Sequence, residues 1–157
     1  MLIQFKLNGR TVAEEAEPNE TLLDFLRERL NLTSVKKGCD EGDCGACTIL
    51  LNEKPVRSCL LLAVQMREGE EVITVEGLAK QGELSEIQEA FLEKYGFQCG
   101  FCTPGMILMT KALLDENPRP TIAEIKDQFE GNLCRCTGYA QIIDSVLRAA
   151  ELRASRR

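Results

Sequence analysis

Eight cysteines and no histidine bound the chemistry open to this 157-residue chain. The cysteines fall into two quartets. Cys39, Cys44, Cys47 and Cys59 read C-x4-C-x2-C-x11-C, and Cys99, Cys102, Cys134 and Cys136 read C-x2-C-x31-C-x-C. Four thiolates per site suit soft metals, above all iron–sulfur clusters or structural zinc. Without histidine, Rieske-type clusters, histidine-ligated haem and mixed Cys/His zinc sites drop out. Two all-thiolate metal centres are therefore expected, and electron transfer is what such centres mostly do. An even cysteine count also permits a four-disulfide framework, but disulfide scaffolds are secreted and rarely carry tight C-x2-C and C-x-C pairs.

The quartets differ in character. Cys39 to Cys47 reads CDEGDCGAC, a loop with three cysteines and two glycines. Wrapping a [2Fe–2S] cluster demands sharp turns with N–H groups aimed inward, and Gly42 and Gly45 supply the backbone angles. C-x4-C-x2-C with a distant fourth cysteine is the plant-type ferredoxin spacing. Zinc motifs favour two short pairs instead. The second quartet has two short pairs, so zinc stays open there. Both of its pairs are expected at helix N-termini, where free N–H groups and the helix dipole favour an anionic centre.

The elements that must position these cysteines divide the chain in two. In the first half, Ile3, Phe5 and Leu7 alternate with polar residues, Asn8-Gly9 turns the chain, and Thr11 to Glu17 returns as the second strand of a hairpin. Thr21 caps a helix with an apolar face of Leu22, Leu23, Leu26 and Leu30. Thr48 to Leu51 and Pro55 to Leu61 read as strands joined at Asn52, with Cys59 on the second, and Val72 to Val75 as a further strand. That order is a β-grasp, plant-type ferredoxin-like domain. The second half is helical. Ser85-x-x-Gln88 and Thr121-x-x-Glu124 are capping boxes. Thr103-Pro104 and Thr137 start two more helices, the last with a stripe of Ile142, Ile143, Val146, Leu147 and Ala150. The fold class is thus α+β: a ferredoxin-like domain over residues 1–77, then an all-α four-helix bundle over 78–157.

Composition narrows the partners. A net charge of −6 argues against nucleic acid. No apolar run is long enough to span a bilayer, so no direct membrane insertion is expected. The N-terminus lacks a secretory signal, which points to the cytoplasm, although a partner with a twin-arginine signal could carry the chain across a membrane. Asp40, Glu41 and Asp43 crowd the first cysteine group. Arg153, Arg156 and Arg157 read as a solvated helix end rather than a binding patch.

The stretches GCDEGDCGACT (38–48), FQCGFCTPGM (97–106) and GNLCRCTGY (131–139) together resemble the iron–sulfur part of the molybdenum hydroxylases, the family of xanthine oxidase, aldehyde oxidoreductase and carbon monoxide dehydrogenase. The resemblance covers essentially the whole chain and keeps all eight cysteines. It implies two [2Fe–2S] clusters, one per quartet. It also implies that electrons arrive from a molybdopterin site on a large partner subunit, reach the helical-domain cluster first, and leave through the N-terminal cluster towards FAD, on an FAD-binding medium subunit, or another acceptor. Carried over, Gln98 would hydrogen-bond the pterin, and Cys136 would be both ligand and bridge towards it. Flavin and molybdenum domains are not in the sequence, so it looks like the separate small subunit of an oxidoreductase, with no substrate chemistry of its own. A free-standing two-cluster ferredoxin and a zinc-binding assembly module are the rival readings.

Overall fold

The first strand forms where the apolar residues alternate. β1 (Leu2–Leu7) buries Ile3, Phe5 and Leu7 and exposes the residues between them. Asn8 (φ 50°) and Gly9 (φ 80°) make the left-handed turn into β2 (Arg10–Glu15), antiparallel to β1. The return strand stops at Glu15, opposite Leu2, and Ala16 beyond it still exchanges bonds with Met1, at 2.8 and 2.7 Å. The computed structural model describes residues 1–156.

Thr21 caps α1 (Leu22–Asp24), its hydroxyl accepting from the Asp24 N–H at 3.0 Å. The helix then widens into a π-helical turn over Phe25–Arg29, closed by the Leu30 N–H on the Phe25 carbonyl. The wider turn departs from the 3.6-residue repeat of the expected stripe: Phe25 joins Leu22, Leu23 and Leu26 in the core, and Leu30 stays half-buried. Phe25 packs on Phe5 with ring centroids 6.3 Å apart.

β3 (Thr48–Leu51) and β4 (Lys54–Arg57) form a second hairpin through Asn52 and Glu53, and β5 (Glu71–Ile73) lies between β1 and β3. The mixed sheet has the order β2-β1-β5-β3-β4, with β1 and β5 parallel. This is the expected β-grasp topology. One detail differs: Cys59 lies not on a strand but on a 3-10 turn over Ser58–Leu60. The ladder ends at Thr48 opposite Arg57. Beyond it, the Ser58 N–H and hydroxyl both bond the Cys47 carbonyl, which curls the chain back beneath the loop.

The helical half contains α2 (Glu86–Glu93), α3 (Thr103–Glu116), α4 (Ile122–Gln128) and α5 (Ala140–Ser155). Both capping boxes form. Two other expected caps do not. Cys102 occupies the cap position of α3, and Thr103 is already helical with its hydroxyl buried and unpartnered. Thr137 lies ahead of α5, whose cap position is Tyr139 in the left-handed region (φ 70°). The Thr137 hydroxyl instead accepts from the Tyr139 N–H at 3.1 Å and contacts the Cys134 sulfur.

Each half has its own apolar cluster, one around Phe5, Phe25, Ile49 and Val72, the other around Phe91, Met106, Ile125 and Val146. The expectation of a solvated arginine end fails for Arg153, whose side chain is only 16% exposed and pairs with Glu86 and Asp115. Arg156 pairs with Glu89. Arg157 lies outside the described residues. At the end of the ferredoxin-like half, the Asn8 amide accepts from the Thr74 N–H at 2.9 Å and donates to the Thr74 hydroxyl at 3.0 Å. No helix among the described residues is long and apolar enough to cross a membrane.

Candidate metal centres

Between the π-helical turn and β3 the chain has no regular element, and left-handed residues shape it: Asp40 (φ 60°), Gly42 (φ 86°) and Gly45 (φ 72°). These turns aim the N–H groups of Cys44 and Glu41 at the Cys39 sulfur, each at 3.4 Å. Those two backbone bonds bring the Cys39 thiol down to about 7. Gly38 leaves the sulfurs room, since a Cβ there would stand 2.7 Å from the Cys44 sulfur. Cys47 and Cys59 lie deeper, their sulfurs 3.4 Å apart. Burial, then the neighbouring Cys47 thiol, pushes Cys59 up to about 12.

The second quartet is assembled from two segments. Cys99 and Cys102 precede α3, and Cys134 and Cys136 precede α5. The Tyr139 hydroxyl anchors this second segment by accepting from the Cys134 N–H at 2.9 Å. Burial pushes the Cys134 thiol up, but the Thr137 hydroxyl and N–H outweigh it and leave it below the ordinary value. Burial, then the Cys134 thiol, pushes Cys102 up to about 12. Cys99 and Cys136 are exposed, with sulfurs 3.6 Å apart, and the Cys99 thiol raises Cys136.

Two couples of sulfurs are in contact, Cys47 with Cys59 and Cys99 with Cys136, and the thiols of Cys39 and Cys44, and of Cys102 and Cys134, shift one another's protonation. A mononuclear zinc site needs four thiolates converging on one point. Two thiolates per iron is what a binuclear cluster requires, so the donor set fits [2Fe–2S] in both places.

Sequence reasoning missed the residues that join the quartets. The Leu133 N–H, beside Cys134, donates to the Cys44 carbonyl at 2.9 Å. Asn132 and Arg57 bracket that contact. Gln98 is exposed beside Cys99; Phe101, Leu133 and Arg135 are exposed as well.

Residues 5–79 match the family described as a 2Fe-2S iron-sulfur cluster binding domain, and residues 74–147 match a [2Fe-2S] binding domain. The chain is 54% identical over 149 residues to the nicotinate dehydrogenase small FeS subunit of Eubacterium barkeri, covering 95% of this chain and 94% of that one. The structure of quinoline 2-oxidoreductase from Pseudomonas putida 86 superposes with a TM-score of 0.94 at 46% identity, covering 100% of this chain and 96% of that chain. Aldehyde oxidoreductase from Desulfovibrio desulfuricans superposes equally well, at 0.94 and 41% identity, over 99% of this chain but 17% of that much longer one. Paired thiolates in two places, two cluster-binding family matches and full-length likeness agree: the chain belongs to the small iron–sulfur subunits of the molybdenum hydroxylase family.

Proposed function

We propose that this chain is the electron relay of a multi-subunit dehydrogenase and performs no substrate chemistry itself. Its 1–77 domain holds one [2Fe–2S] cluster through Cys39, Cys44, Cys47 and Cys59. Its 78–157 domain holds the other through Cys99, Cys102, Cys134 and Cys136. When bound, each cluster supplies reversible one-electron acceptance. The protein supplies burial, N–H bonds to sulfur and a fixed spacing.

The observation that carries this reading is the direct contact between the two cysteine loops, Leu133 N–H to Cys44 carbonyl at 2.9 Å. Independent zinc modules have no need to touch at their metal sites; a relay does. Exposure supports the direction that the family resemblance implies. Cys99 and Cys136 lie at an open edge, with Gln98 beside them. We assign that edge to the molybdopterin-binding large subunit, with the Gln98 amide hydrogen-bonding the pterin and Cys136 bridging towards it. The loop with Asp40, Glu41 and Asp43 then faces the FAD-binding medium subunit or another acceptor. A cytoplasmic setting, where thiols stay reduced, suits the assembly.

The test is iron, zinc and acid-labile sulfide per chain on anaerobically purified protein, with EPR after dithionite reduction. About four irons, about four sulfides and two distinct signals are expected. Stoichiometric zinc without sulfide overturns the relay.

A further inference from the structure

The two cysteine loops are locked together by a buried polar joint. Asn132 is its centre, 2% exposed. Its amide nitrogen donates to the Gly45 carbonyl and to the Thr48 hydroxyl, both at 3.2 Å. Its amide oxygen accepts from Arg57 at 2.9 Å. The same guanidinium reaches the Gly131 carbonyl at 3.0 Å and the Thr48 hydroxyl at 2.7 Å, and that hydroxyl donates to Gly45 at 2.6 Å. Two glycines clear the space. A Cβ on Gly45 would stand 2.7 Å from the Asn132 side chain, and one on Gly105 would stand 2.8 Å from the Gly45 carbonyl.

A buried amide with both ends satisfied favours one arrangement of its partners, because any slip strands a polar group away from water. Asn132 is flanked by Gly131, whose carbonyl Arg57 holds, and by Leu133, whose N–H bonds Cys44. The joint therefore fixes Cys134, two residues on, relative to Cys44 on the opposite loop.

We propose that Asn132 is a positioning residue for transfer between the two centres, holding the two quartets at a single separation. This rests on the relay reading above. In the transfer one centre is oxidised by one electron and the other reduced by one; no bond forms or breaks and no proton moves. Asn132 touches neither centre and acts through the loops.

The test uses the full cluster-loaded chain with Asn132→Asp, which keeps the acceptor for Arg57 but turns a carboxylate oxygen towards the Gly45 carbonyl. Thr48→Val, which removes the shared hydroxyl at constant shape, is the second variant and decides the matter if the first does not fold. Two readouts are taken. In EPR of the fully reduced chain, the magnetic splitting between the two centres should diminish or be lost, while the g-values and iron content of each stay as in wild type. In hydrogen exchange, the Leu133 amide should exchange roughly ten- to hundredfold faster. Lowered thermal stability with splitting and exchange unchanged would mean an ordinary structural residue and would overturn the proposal. Wild-type protein is measured first: zinc without sulfide there overturns the relay and this proposal together, whereas two normal signals with unchanged splitting in the variants overturns this proposal alone.

Discussion

The two cysteine quartets solve one problem in opposite ways. In the first, a single irregular loop folds over the site and pushes Cys47 and Cys59 into the core, at 3% and 8% exposure. In the second, two preformed helices bring short segments together, so the inner couple is half-buried and Cys99 and Cys136 lie at the surface. Between Cys39 and Asp43 the first loop has no regular structure and the Glu41 N–H turns to the Cys39 sulfur, whereas α2, α3 and α5 have an apolar cluster of their own. The first site should depend on its metal for its fold, and the second should supply a scaffold that outlasts its metal.

Metal removal gives the largest contrast. After anaerobic chelation of iron, hydrogen exchange should show protection lost across residues 39–44, where the Glu41 and Cys44 N–H groups point at the Cys39 sulfur, while peptides from α2 and α5 remain protected. Around that stretch the loop keeps bonds of its own: the Lys36 N–H on the Ala46 carbonyl, Arg27 on the Thr33 and Val35 carbonyls, and the Cys44, Gly45 and Cys47 carbonyls held by Leu133, Asn132 and Ser58. The Cys59 thiol, held up near 12 by burial and Cys47, would stay protonated and offer no charge to replace the lost bond. Loss of α5 before the loop would invert the comparison.

That contrast was only half legible in the sequence. Spacing alone paired the quartets and put three cysteines in one loop, because metal ligation constrains residue types more tightly than packing does. Strand and helix order followed from periodicity, and capping boxes at Ser85 and Thr121 were readable because the cap and its reciprocal residue are three apart. The errors lie where a non-local partner redirected a local signal. Thr137 looks like a helix cap, but the Cys134 sulfur and the Tyr139 N–H claim its hydroxyl. Thr103 looks like one too, yet Cys102 takes the cap position. Cys59 left its strand because Ser58 found the Cys47 carbonyl. Asn132 was invisible, since nothing within the triplet Gly131-Asn132-Leu133 points to Gly45 or Arg57, more than 70 residues earlier.

A smaller effect separates the scaffolds at one atom. Tyr139→Phe removes the acceptor of the Cys134 N–H and leaves that donor partly buried without a partner. The expected cost is about 1 kcal/mol, confined to the helical half. It would be read as a lower melting temperature together with an altered EPR signal from the second centre and an unchanged signal from the first. Equal perturbation of both signals would show that the two sites are not separable by their supports.

The smallest difference is electrostatic. In the helical half, burial alone would raise Glu86, but the Arg153 bond at 2.8 Å outweighs it and leaves the carboxyl below its ordinary value of 4.5. In the ferredoxin-like half, the Lys37 bond at 2.9 Å lowers Asp24 from 3.8, with burial opposing and the Thr21 hydroxyl assisting. Both carboxyls bind protons more weakly folded than unfolded. Each contribution is therefore complete above the unfolded value and disappears as pH falls through the folded one. The Glu86 contribution begins to fade at higher pH than that of Asp24, because its unfolded value is higher. Both pairs are solvent-accessible, so each contributes no more than about 1 kcal/mol. Melting curves of Glu86→Gln and Asp24→Asn against wild type, from about pH 6 to about pH 3, would separate them. The gap between wild type and Glu86→Gln should begin to close first. A gap that stays constant over that range would mean the Glu86 side chain contributes through packing or a neutral hydrogen bond to Arg153 rather than through its charge.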